Sequence, residues 1–283
     1  MKVTLVQMDI AWGDAAANRE TAERLMLSAE RSDLYVLPEM WNTGVTTEPR
    51  GVAEPEGGDT LQWMQRMANK LDAAVCGSIA VETLSSSPLR GECQYRNRLY
   101  FVMPAPFSDP SPGEEGSCQP REQSLPLRRE VWRGACYDKH HLFSYGGETE
   151  HYTPGAGRVN VEWRGVRFRL CVCYDLRFPL WLRCRDDYDA LICVASWPQV
   201  RMQAWEVLLQ ARAIENQCYV LGVNRVGRDP VCEYSGGSCI VNPFGFAESC
   251  PEGGEAVLTR TLDLRRLKSF RDKFPVLKEQ DWD

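Results

Sequence analysis

Three short stretches place a reactive side chain directly after an apolar, strand-like run. Leu37-Pro38-Glu39-Met40-Trp41 puts a carboxylate there. Tyr137-Asp138-Lys139-His140-His141-Leu142-Phe143 puts a lysine there. Leu170-Cys171-Val172-Cys173-Tyr174-Asp175-Leu176-Arg177-Phe178-Pro179 puts a thiol there, and Pro179 suits the first turn of a helix. Taken singly, each has a plain structural reading: a capping or solvent-facing Glu, an exposed turn Lys, one more buried Cys. Taken together they supply what acyl transfer needs. A cysteine nucleophile requires a base, and a tetrahedral oxyanion requires a cation or donors. A thiol near a helix N-terminus or a lysine is expected to have a lowered pKa. His140 and His141 compete for the role of base. Neighbours on an extended segment point to opposite sides, so at most one of them shares the direction of Lys139.

Strand ends gather in space when strands and helices alternate, and the chain reads that way. Strands are expected at Lys2–Gln7, Asp33–Leu37, Ala74–Glu82, Arg98–Met103, Trp132–Lys139, Val166–Cys173, Leu191–Ala195, Tyr219–Asn224, Ser238–Val241 and Ala256–Leu262. In Val166–Cys173 the residues Val166, Phe168, Leu170 and Val172 alternate with Arg167, Arg169, Cys171 and Cys173, a period of two. Helices are expected at Ala15–Arg31, Thr60–Leu71, Gln203–Asn216 and Arg265–Phe274. No repeat or low-complexity linker divides the chain, so one α/β domain over 1–283 is expected. Pro104–Arg128, rich in Pro, Ser and Glu, reads as a surface insertion.

Composition narrows the partners. Hydrophobic residues make up 43% and charged residues 25%, values of a folded globular chain. A net charge of -6 argues against nucleic acid. No apolar run reaches the length of a membrane span, and the N-terminus lacks a signal-peptide core, so a cytoplasmic protein is expected. The twelve cysteines contain no CxxC pair, and the chain has only three histidines, so no metal site is expected. Cys76, Cys171, Cys193, Cys218 and Cys239 sit in apolar runs as small hydrophobes.

With LPEMW, YDKHHLF and CVCYDLRFP in this order, the chain resembles the nitrilase (carbon–nitrogen hydrolase) superfamily. The resemblance extends over VASWPQVRMQAWEVLLQARAIENQCYVLGVNRVG and YSGGSCIVNPFG. CYDLRFP, ARAIENQ and SFRDKFP look most like its ω-amidase branch. The resemblance implies a four-layer αββα sandwich, pairing as a homodimer or higher homo-oligomer. It implies Glu39 as general base, Cys173 as nucleophile and Lys139 as the cation at the tetrahedral intermediate. The backbone N–H of Tyr174 would be a second oxyanion donor. Glu148 is the best match for a second glutamate, with Glu150 next to it in line. The implied reaction hydrolyses a dicarboxylate monoamide, of the 2-oxoglutaramate or succinamate kind, to acid and ammonia with no cofactor. A cationic partner for the free carboxylate would come from Arg177 or Arg201, though either could instead form a structural ion pair. Trp197 and Tyr174 could wall the pocket or belong to the core. The insertion at 104–128 is longer than the hairpin expected there.

Three other readings stay open. A carbamoylase, nitrilase or amidase of different substrate would share the triad. A papain-like Cys–His enzyme would use His140 or His141. An inactive binding protein on the same fold would be expected to have lost a member of the triad.

Overall fold

The computed structural model describes residues 1–84, 93–105 and 133–279. One sheet is built from β1 (Lys2–Gln7), β2 (Leu34–Val36), β3 (Glu54–Pro55), β4 (Ala74–Leu84), β5 (Cys93–Met103), β6 (Arg133–Asp138) and, returning from the far end of the chain, β15 (Ala256–Thr261). Its order is β15-β1-β2-β4-β5-β6, with β3 paired to β4. The other sheet holds β7 (Asn160–Trp163), β8 (Val166–Val172), β9 (Ala190–Ala195), β10 (Tyr219–Asn224), β13 (Cys239–Val241) and β14 (Ala247–Ser249), in the order β14-β13-β10-β9-β8-β7. A hairpin of β11 (Val226–Arg228) and β12 (Glu233–Ser235) stands apart.

The sheets pack face to face, and alternation decides which side chains meet. From the first sheet Leu5, Val36, Cys76 and Phe101 point inward; from the second, Phe168, Leu170, Val172, Ile192 and Val194 do. Phe101 and Phe168 touch across the middle with ring centroids 5.7 Å apart. The opposite faces are apolar as well. Val75, Tyr100 and Val102 pack under α1 (Ala15–Ser28) and α2 (Asp59–Leu71) through Leu25, Met26, Met64 and Met67. Cys171, Leu191, Cys193 and Val220 pack under α5 (Met202–Glu215) through Trp205, Leu209 and Ala213. Burial of both faces explains why these strands read as continuous apolar runs. The result is the expected αββα sandwich. Short helices α3 (Glu148–His151) and α4 (Pro179–Leu182) lie near its end, and α6 (Leu264–Lys273) follows β15.

Several boundaries differ from expectation. α1 stops at Ser28, and its start is capped by Asp14, whose carboxylate accepts from Ala17 N–H at 3.0 Å. The expected strand Val166–Cys173 ends at Val172, because Cys173 adopts φ 47° and opens a 3-10 turn over Cys173–Arg177. Cys171 and Cys173 therefore do not share a strand face. β3, β7, β11, β12 and β14 escaped the reading; they are two to four residues long, and β14 is wholly exposed. Apart from Pro104 and Ala105, the insertion expected at 104–128 lies outside the described residues. Among the described residues, no helix is long and apolar enough to cross a membrane.

Candidate active site

In the first sheet β2 and β6 run the same way, since β2 is parallel to β4 and two antiparallel steps lead from β4 to β6. In the second, β8 and β9 are parallel. Glu39, Lys139, Cys173 and Ser196 each follow the C-terminal end of one of these strands. The two sheets meet there: Glu39 N–H reaches Ala195 O at 3.5 Å, and Ser196 N–H donates to Glu39 Oε2 at 2.9 Å.

Lys139 sits between two carboxylates. Its Nζ donates to Glu39 Oε1 at 2.9 Å and to Glu148 Oε2 at 2.8 Å. All three side chains are nearly excluded from water. Burial by itself lowers the pKa of the ammonium; the charges of Glu148 and Glu39 outweigh it and hold the pKa well above the usual lysine value. Lys139 is therefore a fixed positive charge. Glu148 opens α3, and its Oε2 also accepts from Phe143 N–H at 2.7 Å. Glu150, the alternative second glutamate, is exposed.

The Cys173 thiol lies close enough to Glu39 and Lys139 to feel the charge of both. A lysine nearby would by itself lower the pKa of a thiol. Instead burial pushes it well above the ordinary thiol value, the charge of Glu39 adds to the rise, and Lys139 offsets only part of it. The resting group is therefore the thiol and not the thiolate. Positive φ at a non-glycine residue is strained, and here it lifts the thiol off the strand end. Tyr174 is the second residue of the 3-10 turn, where a backbone N–H has no partner within the turn.

A buried carboxylate fixes this turn. Asp175 accepts from Val172 N–H at 3.1 Å, Tyr137 O–H at 2.7 Å and His141 N–H at 2.9 Å, and its Oδ1 lies 2.8 Å from His141 Nδ1. It ties the chain after Lys139 to the chain after Cys173. His141 stacks on Phe178 and His140 on Trp181, and neither lines the pocket. The reading of either histidine as the base is therefore set aside.

A cavity of about 290 Å³ opens over the cluster. Glu39, Lys139, Glu148, Cys173 and Tyr174 line its floor, with Arg177, Trp197 and Arg201 among its walls. The Arg177 guanidinium lies over the Trp197 ring at 4.9 Å, and that of Arg201 over the Phe143 ring at 5.3 Å. Neither arginine has a carboxylate at ion-pair distance among the described residues, so the structural ion pair weighed from sequence is not formed there. Trp197 serves pocket and core at once: it is 2% exposed and packs on Trp205. Sequence reasoning missed Asn97, Ser196, Asp175 and the rim residues Tyr145, Asp229 and Val231. Asp175 stands inside the thiol motif and Asn97 inside the strand-like run YRNRLYF, but neither shows its partners in the sequence.

A carboxylate, a lysine and a cysteine thus converge at one end of an αββα sandwich. The family profile for carbon–nitrogen hydrolases matches residues 2–272. The chain belongs to this family, in the ω-amidase branch of the nitrilase superfamily. It is 38% identical to omega-amidase YafV of Yersinia enterocolitica over 99% of this chain and 97% of that one. It is 30% identical to 2-oxoglutaramate amidase of Bacillus subtilis over 98% and 96%. A crystal structure from Xanthomonas campestris, a CN-hydrolase superfamily protein with an arsenic adduct in its active site, superposes with TM-score 0.83 at 33% identity, covering 100% of this chain and 98% of that one.

Proposed function

We propose that this protein is an ω-amidase, hydrolysing a short dicarboxylate monoamide to the dicarboxylate and ammonia through a thioester on Cys173. The observation that carries the reading is a single cavity holding Glu39, Lys139, Glu148 and Cys173 beside Arg177 and Arg201, which have no carboxylate at ion-pair distance among the described residues. The similarity to omega-amidase YafV and 2-oxoglutaramate amidase supports it.

Glu39 takes the thiol proton as sulfur attacks the amide carbon. Negative charge then develops on the carbonyl oxygen, where Lys139 Nζ and the Tyr174 N–H stabilise it. Glu39 returns the proton to the departing nitrogen, ammonia leaves, and a thioester remains. Water attacks the thioester, with Glu39 accepting a proton again and the thiol leaving. Glu148 keeps Lys139 charged and in place. Arg177 and Arg201 hold the distal carboxylate of the substrate, and Trp197 and Tyr174 bound the space between. Every step is served by side chains and backbone, with no metal or organic cofactor called upon.

We also place the protein in the cytoplasm, where a reducing medium keeps Cys173 a free thiol, and read it as a homodimer. Val207 and Ile214 on α5 and Phe246 beside β14 are exposed apolar residues. Ile214 reaches the turn at Gly245, so Phe246 continues the α5 patch. Sedimentation velocity of the wild type and of Ile214→Glu reads the pairing; a wild-type monomer at micromolar concentration overturns it.

Ammonia release from 2-oxoglutaramate, succinamate and an aliphatic nitrile by wild type and Cys173→Ala tests the activity. Release from the monoamides that vanishes in the variant is the expected result. A folded wild type that acts on neither monoamide overturns the substrate class.

A further inference from the structure

One polar side chain at the site has no part in the reaction as written. Asn97 lies inside β5, on the strand next to the one that delivers Lys139, and accepts from Lys139 N–H through its backbone oxygen at 2.9 Å. Its side chain is as buried as the residues it meets, with 1% of its surface exposed. Nδ2 donates to Glu39 Oε1 at 2.8 Å and to Glu148 Oε1 at 3.2 Å. The reverse orientation of the amide would turn an oxygen onto two carboxylates, so the donor must face them.

We propose that Asn97 is a positioning residue of the hydrolytic centre, its carboxamide holding the Glu39 and Glu148 carboxylates apart and ionised around Lys139. Glu39, Lys139, Glu148 and Asn97 close a ring: the ammonium bridges the two carboxylates on one side and the amide nitrogen bridges them on the other. Two carboxylates this close compete for a proton unless donors separate them. A proton captured by either would disable the base or loosen the lysine. A cationic residue at 97 would do the same separation but would neutralise the cluster and draw the Cys173 proton off. An amide stabilises both anions and leaves the net charge unchanged. Among the described residues, the Cys173 and Cys193 thiols and the Tyr152 phenol also feel the charges of the ring. The Tyr152 hydroxyl donates to Thr46 O at 3.0 Å, so it gives the carboxylates no hydrogen bond.

The proposal rests on Glu39 as base and is tested so that the two fail separately. Asn97→Ala, Asn97→Ser and the isosteric Asn97→Asp are compared with wild type in two profiles against pH: kcat/KM for succinamate, and the rate of iodoacetamide labelling of Cys173, read on its own peptide by mass spectrometry. Losing the donors makes the carboxylates easier to protonate and the field at sulfur more negative. The acidic limb of kcat/KM therefore moves up by about one pH unit in Asn97→Ala, less in Asn97→Ser, which keeps one donor, and further in Asn97→Asp. Cys173 labelling shifts toward higher pH in the same order. The kcat falls roughly 10- to 100-fold, the scale of one hydrogen bond to a charged group, with KM little changed. Profiles of folded variants that superimpose on wild type overturn the assignment of Asn97. Should the wild type release no ammonia, the hydrolytic reading fails, and the labelling profiles still decide whether Asn97 sets the charge state of the cluster.

Discussion

Lys139 Nζ lies 2.8 Å from Glu148 Oε2, and both groups are buried at the floor of the cavity. That contact, with the one to Glu39, holds the lysine pKa well above its usual value. Glu148→Gln removes the first of these two causes while keeping the shape. It should lower kcat by about two orders of magnitude with a small change in KM, because the oxyanion stabiliser acts in the transition state. Glu148→Ala should also destabilise the fold by about 2 kcal/mol, because Lys139 keeps Glu39 but one of its buried N–H groups and the Phe143 N–H lose their acceptor. Steady-state kinetics and urea unfolding check the two claims.

The thiol of Cys173 is held protonated, by burial first and the charge of Glu39 second. Labelling of Cys173 by iodoacetamide should therefore climb about tenfold per pH unit through pH 9, with no plateau near neutrality. A plateau beginning below pH 7 would mean a resting thiolate. Peptide mass spectrometry across pH 6 to 10 reads this directly.

How much of this was visible in the sequence differs from residue to residue. Glu39, Lys139 and Cys173 stood out because each interrupts an apolar run at a strand end, and strand direction then forces them to one edge of the sandwich. Glu148 came through the likeness to the family, not through its own surroundings. Asn97 was hidden because its meaning depends on register: Arg98 pairs with Asp138, which sets Asn97 beside Lys139. The alternating pattern of β8 runs on through Cys173, while the turn is made by a backbone angle that no pattern of side chains records. Asp175 lay inside the thiol motif, but its partners Tyr137 and His141 come from a distant segment. The short strands β7 and β14 carry too few apolar residues to show a period.

Alkaline pH should unfold the protein through its core cysteines. Burial raises Cys239 to about 12 and Cys250 to about 11, and pushes Cys76, Cys193 and Cys218 up as well. A raised folded pKa means the folded state holds the proton more tightly. This stabilisation is complete below the unfolded thiol value of about 8.5 and is lost as pH rises toward the folded values. Each such thiol should cost about 2 kcal/mol by pH 10. Urea midpoints are expected to be flat from pH 7 to about 8 and to fall steeply beyond 9; a midpoint unchanged at pH 10 would contradict the burial of these thiols.

Arg201 and Arg177 should act on binding the acid end of the substrate and not on chemistry at the amide. Arg201→Ala is expected to raise KM for succinamate by roughly 10- to 100-fold, the loss of a charge-assisted contact. The KM for butyramide, which has no carboxylate, should stay within about twofold. Equal losses for both substrates would assign the arginine to packing. Parallel kinetics with the two amides separate the cases.

The most direct test of the central claim is an acid quench of the enzyme during turnover of succinamate, followed by mass spectrometry of the Cys173 peptide. The account predicts a succinyl group on Cys173 in the wild type and none in Cys173→Ala, which should also release no ammonia. Ammonia release by Cys173→Ala at an undiminished rate would contradict it.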